Sequence, residues 1–151
     1  MSIKNPKTFE EVRNYLSCIP AINQGGCGVA ALAMYKWLRK QNEIEHRFKF
    51  VLCYGGYDEK TYLNNIGVLR NGKGTAIACE HIGIFYNGSY IDCDSDLPLY
   101  KYGTIQFIDY DEEWFMTNVL NNKGSWNYMF DRTNISKIEK DLKIDLKGIE
   151  R

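Results

Sequence analysis

No stretch of this chain carries the roughly 20 consecutive apolar residues that a membrane-crossing helix needs. An excess of charge of one sign is missing as well. Lys plus Arg and Asp plus Glu stand at 19 each, so no basic footprint argues for nucleic acid or for an anionic membrane surface. Neither is expected as a partner. The five cysteines are odd in number, irregularly spaced and without a CxxC pair, which argues against both a disulfide framework and a zinc cage. A reducing compartment is expected instead, and the residues from Met1 to Lys7 lack the apolar core of a signal peptide. The localisation is therefore read as cytoplasmic. No glycine pair has phosphate-loop spacing followed by Lys-Ser/Thr, and repeats and low-complexity tracts are absent. With two histidines, only His46 and His81 can move protons by imidazole chemistry near neutral pH. No cofactor or metal is implied.

What the chain does contain is core material. Hydrophobic residues make up 44% of 151, enough for a single domain over residues 1–151. A first helix is expected from Thr8 to about Cys18, with Thr8 as cap and Phe9, Val12, Tyr15 and Leu16 on one face; Pro20 ends it. A second helix, Cys27 to about Gln41, is apolar all round over Ala30–Met34, so it should be buried on most sides. Strands are expected over Arg47–Tyr54, Thr75–Tyr86, Ser89–Cys93 and Thr104–Asp109. Asp58–Asn65 reads as a helical segment. Asp111 opens a helix to about Leu120, and Asn134 to about Lys143 reads as a late, more polar, peripheral helix. Helices come first and a mostly antiparallel sheet follows, which is an α+β class rather than an alternating βαβ one.

One segment stands out. Asn23-Gln24-Gly25-Gly26-Cys27-Gly28-Val29-Ala30 brings a thiol to the first turn of a buried helix, where free N–H groups and the macrodipole favour a thiolate. Downstream, Glu80-His81-Ile82-Gly83-Ile84-Phe85-Tyr86 runs into Asn87-Gly88, the strongest short hairpin signal. Ser89-Tyr90-Ile91-Asp92-Cys93-Asp94 returns from it. A two-residue turn pairs Tyr86 with Ser89, Phe85 with Tyr90 and Gly83 with Asp92, and sets His81 opposite Asp94. Alternation then gathers His81, Gly83, Phe85, Tyr90, Asp92 and Asp94 on one face. A carboxylate there can hold the imidazole in one tautomer while its other nitrogen meets the thiol. Asp94 is the direct neighbour, and Asp92 is the alternative. Gly83 leaves room for the Cys27 helix or for a substrate. The Cys27 N–H and a nearby amide, Gln24 ahead of Asn23, are candidates for an oxyanion site.

These motifs resemble the papain-like superfamily. The run Cys27–Met34 looks like the nucleophile helix of papain-fold peptidases that trim leader peptides from bacteriocins. The run His81–Asp94 is similar to the histidine hairpin of transglutaminase-like proteins. The resemblance covers about a third of the chain. It implies a papain-like fold with the nucleophile helix packed on the sheet, Cys27 as nucleophile, His81 as general base and Asp94 as orienting residue. A thiol hydrolase or acyltransferase acting on a peptide, isopeptide or glutamine amide follows, with a protein or peptide as substrate. The chain departs from the peptidase pattern six residues before the cysteine, where Ala21 stands in place of an oxyanion glutamine.

The competing reading is a non-catalytic papain-fold module that binds a partner protein or peptide in the old cleft. Free cysteines are commonly core residues, and Cys18, Cys53, Cys79 and Cys93 are expected to be core or half-buried thiols. The aromatics Phe48, Phe50, Phe107, Trp114, Phe115, Trp126 and Phe130 are expected in the core. His46, in a polar connection, is expected to be exposed and without a role.

Overall fold

The computed structural model describes residues 5–23, 26–41, 48–54, 81–86, 88–93, 104–109, 112–121 and 129–151, with the backbone alone for 48–54, His81, 104–109 and Asn118. Helix α1 spans Phe9–Ser17. Its cap is the expected one: Thr8 Oγ1 accepts from the Glu11 N–H at 3.1 Å, while Glu11 Oε2 accepts from the Lys7 N–H at 2.8 Å. The pair thus satisfies one orphan donor of the first turn and pins the residue just before the cap. Val12, Tyr15 and Leu16 form the buried stripe.

Helix α2 spans Cys27–Lys40. Every residue from Cys27 to Tyr35 is buried, together with Trp37 and Leu38, so the helix is the axle of the core. Its closest approaches explain two glycines. A Cβ on Gly26 would lie 2.7 Å from Phe130 Cδ1 and 2.8 Å from the Ile22 carbonyl oxygen. One on Gly28 would lie 2.9 Å from Leu120 Cδ2. A side chain at Gly26 would run into backbone, and one at Gly28 would fit only if the tip of Leu120 shifted.

Four antiparallel strands pack beside this axle: β1 (Phe48–Tyr54), β2 (His81–Tyr86), β3 (Ser89–Ile91) and β4 (Thr104–Asp109), in the order β3-β2-β1-β4. The β2–β3 hairpin pairs Tyr86 with Ser89, Phe85 with Tyr90 and Ile84 with Ile91. This is the register of a two-residue turn, and Gly88 takes φ +84°, as primed hairpin turns require. Ile82 and Ile84 are buried on the α2 side. The expected strand over Thr75–Tyr86 is seen from His81 onward; residues 75–80, like Asp58–Asn65, lie outside the described residues.

Helix α3 begins at Glu112–Phe115 and widens into a π-helical turn over Met116–Leu120. Lys36 Nζ meets Glu112 Oε1 at 2.5 Å and ties it to α2. Helix α4 spans Asn134–Leu142 and is not peripheral. Ile135, Ile138 and Leu142 are buried, and the polar residues that made it read as a surface helix occupy its other face. Asp131 Oδ1 accepts from the Thr133 N–H at 2.9 Å and from its hydroxyl at 2.8 Å, which holds this exposed carboxyl below its ordinary range. At the far end Lys143 adopts φ +55° and the Ile144 N–H reaches the Glu139 carbonyl at 3.1 Å, a left-handed helix stop.

The segment after α4 joins the core through Leu146 and Ile149. Asn121 clasps it with both ends of its amide, donating to the Gly148 carbonyl at 2.7 Å and accepting from the Glu150 N–H at 2.8 Å. Arg132 donates to the Glu150 carbonyl and, at 2.6 Å, to the Leu120 carbonyl. The architecture is α+β: α2 packs against strand β2 of an antiparallel sheet, and the other helices pack on α2. Among the described residues no helix is long and apolar enough to cross a membrane.

Candidate functional site

Cys27 is the first residue of α2 and is 2% exposed. The N-cap is Gly26, which has no side chain, and no acidic residue stands in the first turn. The positive end of the helix is therefore left without a carboxylate of its own. The chain arrives there through a tight loop. The Ile19 and Ile22 amides make three-residue turns back to the Leu16 and Ile19 carbonyls, and Ala21 takes φ +56°. That conformation costs a residue with a Cβ about 1 kcal/mol. The Ile22 backbone packs against Gly26, so the loop closes on itself just before the cysteine.

Three segments meet around this junction. Ile82, directly after His81, has its Cδ1 3.6 Å from where a Gly28 Cβ would stand. The start of β2 therefore lies against the first turn of α2. The end of the hairpin is docked to the loop before Cys27: Cys93 Sγ donates to Asn23 Oδ1 at 3.1 Å. Arg13 of α1 reinforces the docking, since its Nε donates to the Asp92 carbonyl at 2.9 Å. The sequence offered no signal for either contact, because both join residues about 70 or more positions apart.

His81 opens β2 and pairs with Cys53 of β1. Its strand position has the parity of Gly83 and Phe85, opposite to that of Ile82 and Ile84. Position 81 therefore belongs to the sheet face turned away from α2, at the end of the strand nearest Cys27. Asp94 and Gln24 lie outside the described residues. Asp92 is the one buried charged side chain among the described residues, at 2% exposure. Its Oδ2 accepts from the Tyr90 hydroxyl at 2.6 Å.

Tyr90 is a residue that sequence reasoning placed on the right face without giving it a task. Its ring lies across Gly83: a Cβ there would stand 2.6 Å from both the Tyr90 hydroxyl oxygen and its Cε2. The room at Gly83, expected to receive the α2 helix or a substrate, is filled by this ring. The available signal was a glycine diagonally opposite an aromatic across an antiparallel pair.

Two expectations about thiols divide. Cys93 is buried, whereas Cys18 is exposed, because α1 ends at Ser17 and residue 18 turns outward on the side opposite the Val12–Leu16 stripe. Of the aromatics expected inside, Phe115 and Phe130 are buried and Trp114 packs partly buried against the core. Among the described residues no three His, Cys, Asp or Glu side chains gather as a metal site would require. Comparison of the chain with known protein families, with characterised proteins and with solved structures returned no match.

Proposed function

We propose that the protein is a thiol-dependent hydrolase or acyltransferase of papain-like design that acts on an amide of a protein or peptide. The observation that carries this reading is the convergence at the start of α2. The N-terminus that bears Cys27 lies against the start of β2, which bears His81. Cys93, which follows Asp92 just after β3, is bonded to Asn23 in the segment that precedes Cys27.

In this reading His81 takes the thiol proton and the Cys27 sulfur adds to the carbonyl carbon. The C–N bond then breaks as His81 returns the proton to the leaving amine, which leaves a thioester on Cys27. Water or a second amine attacks the thioester and releases the enzyme. The backbone N–H groups of the first turn, uncapped by any side chain at Gly26, are suited to the tetrahedral oxyanion. An aspartate at the end of β3, Asp94 or Asp92, orients the imidazole. The strand parity of position 81 adds a requirement: the imidazole must meet the thiol around the end of β2.

The test combines labelling and turnover. A thiol-directed electrophile should modify Cys27 faster than the other four cysteines, followed by peptide mapping. Turnover is screened with peptide amides and with a glutamine peptide plus a fluorescent primary amine. Cys27→Ala and His81→Ala should each cost about 10³-fold or more, and the double variant should be little worse than either. Strictly multiplicative losses would break the coupled pair.

A second reading is favoured by one observation. Gly26 and Gly28 are both demanded by packing and Cys27 is buried, as a core thiol would be. In that case the protein is a non-catalytic module that binds a partner peptide. Cys27 then labels slowly, like the buried Cys93, and Cys27→Ala leaves every measured property other than stability unchanged.

A further inference from the structure

Two pieces of chain cover the first turn of α2. A Cβ on Gly28 would stand 2.9 Å from Leu120 Cδ2 and 3.7 Å from Val119 Cγ1, and one on Gly26 would stand 2.7 Å from Phe130 Cδ1. Cys27 lies between these glycines and is 2% exposed. Both pieces of the cover are held by one segment, Leu146–Arg151. Asn121, directly after Leu120, donates to the Gly148 carbonyl at 2.7 Å and accepts from the Glu150 N–H at 2.8 Å. Arg132, two residues past Phe130, donates to the Glu150 carbonyl and to the Leu120 carbonyl. Met116, where the π-helical turn begins, packs on Gly148, since a Cβ there would stand 3.3 Å from its Cε. The segment therefore grips both ends of the turn that carries Val119 and Leu120.

The segment is seated on α4 in its turn. The Leu146 N–H donates to Glu139 Oε2 at 2.8 Å, and Arg151 meets Glu139 Oε1 at 2.7 Å. Leu146 and Ile149 are buried, whereas Lys147, Gly148, Glu150 and Arg151 are exposed. Most of the grip is thus made of polar bonds at the surface, each of small net strength, and such elements open at lower free energy than a packed core.

We propose that Leu146–Arg151 is an autoinhibitory latch: while seated it keeps Val119, Leu120 and Phe130 closed over the start of α2, and its release uncovers Cys27. The latch takes its purpose from the catalytic reading above, because an amide reaches Cys27 only when the cover lifts. Its mechanical content does not depend on that reading. The unit that opens comprises the segment, the end of the π-helical turn and Phe130, while α1 and α2 stay folded.

The experiment follows alkylation of Cys27 in the full chain by iodoacetamide, with peptide mapping to separate the thiols and the buried Cys93 as internal reference. Asn121→Ala removes both of its bonds to the segment and should speed Cys27 alkylation about tenfold. Asn121→Asp keeps the acceptor for the Glu150 N–H and should give about threefold. Arg132→Met should act in the same direction, and Asn121 decides the matter if that variant does not fold. The Leu146 amide, held by Glu139 and not by Asn121, should exchange its hydrogen faster in Asn121→Ala by the same factor as the alkylation. Tyr15→Phe, at the other end of α2, is the control that lowers stability and should leave Cys27 alkylation unchanged. An unchanged Cys27 rate in Asn121→Ala overturns the latch, and so does equal acceleration of Cys93 or equal acceleration by Tyr15→Phe. If the latch variants uncover Cys27 but Cys27→Ala affects no turnover, the latch holds and the catalytic reading fails.

Discussion

The two ends of helix α2 are finished in opposite ways. At its C-terminus Arg39 and Lys40 complement the dipole, and Lys40 Nζ donates to the Leu142 carbonyl at 2.9 Å and to the Lys143 carbonyl at 3.1 Å. One ammonium thus serves its own helix and closes the end of α4. Beside it the Tyr15 hydroxyl donates to Asp141 Oδ2 at 2.7 Å and ties α1 to the same corner. At the N-terminus no side chain among the described residues caps the helix, no acid stands in the first turn, and glycine flanks Cys27 on both sides. A helix optimised for stability would carry Ser, Thr or Asp at the cap, worth about 0.3 kcal/mol over the glycine that stands there. The comparison teaches where the molecule gives up local stability: beside Cys27, and not at the corner that holds the helices together.

The glycines at the open end give the largest expected effect. Gly26→Ala places a Cβ against the Ile22 backbone and the Phe130 ring, neither of which can swing aside freely. It should destabilise by about 3 kcal/mol, at the upper end of overpacking costs. Gly28→Ala meets the flexible tip of Leu120 and should cost about half as much. Chemical denaturation measures both. If Gly26→Ala is neutral, the uncapped end is not enforced by packing, and the absence of a cap needs another cause.

The corner at the closed end gives the next effect, and its pH dependence has a definite sign. Burial, with Asp141 adding to it, raises the Tyr15 phenol well above its usual value. A neutral phenol is therefore favoured in the folded state. Its contribution is fully present below about pH 10, where an unfolded tyrosine starts to ionise, and is lost as pH rises from there toward the folded value. Tyr15→Phe should cost about 1.5 kcal/mol near neutrality, the hydrogen bond to a charged group. Above pH 10 its stability should fall less steeply than that of the parent. Denaturant melts at pH 7, 9 and 11 check both parts, and parallel pH curves would remove Tyr15 from the account.

These elements also mark what could be read in the chain. The α1 cap, the limits of α2 and β4, and the hairpin register were legible because each depends on a short-range signal: Thr8 with Glu11, an all-apolar run, Asn87-Gly88. The burial of α4 was only partly legible. Ile135, Ile138 and Leu142 recur at i, i+3 and i+7, which marks one apolar stripe, but they are outnumbered by lysines and acids, and the sequence does not say what the stripe packs against. The π-turn at Met116–Leu120 breaks a 3.6-residue period that the sequence otherwise supports. In the candidate site the positions of Cys27 and of the hairpin were readable, because they are local. The Cys93–Asn23 and Arg13–Asp92 contacts were not, because nothing in either partner announces the other. Tyr90 illustrates the limit most clearly: alternation fixed its face, while its lean over Gly83 is a side-chain choice made by packing.

Lys40→Met sharpens the comparison at the closed end. It keeps the apolar stem and removes the ammonium from two carbonyls. Burial first, and Lys143 second, lower the Lys40 ammonium from its ordinary value, so part of the gain from capping is already offset by desolvation. The net loss should be about 1 kcal/mol or less. A stabilised variant would mean that the buried stem matters here and the cap does not.

The smallest effect on stability belongs to the contact that docks the hairpin at the open end. Cys93→Ser keeps a donor for Asn23 Oδ1, whereas Cys93→Ala leaves that buried-side acceptor without this partner. Serine should be within about 0.5 kcal/mol of the parent, and alanine should cost about 1 kcal/mol. The more telling measurement is local. Cys27 is 2% exposed, so its alkylation depends on brief local opening around the start of α2, and peptide mapping follows Cys27 apart from the other thiols. If Cys93 holds that loop, alanine should speed Cys27 alkylation about fivefold, the factor that 1 kcal/mol of local opening supplies, and serine should leave it unchanged. Equal acceleration by both variants would point to lost packing around the sulfur. No acceleration by either would show that the hairpin end and the cysteine loop open independently, and that the convergence at the start of α2 is one of position without coupling.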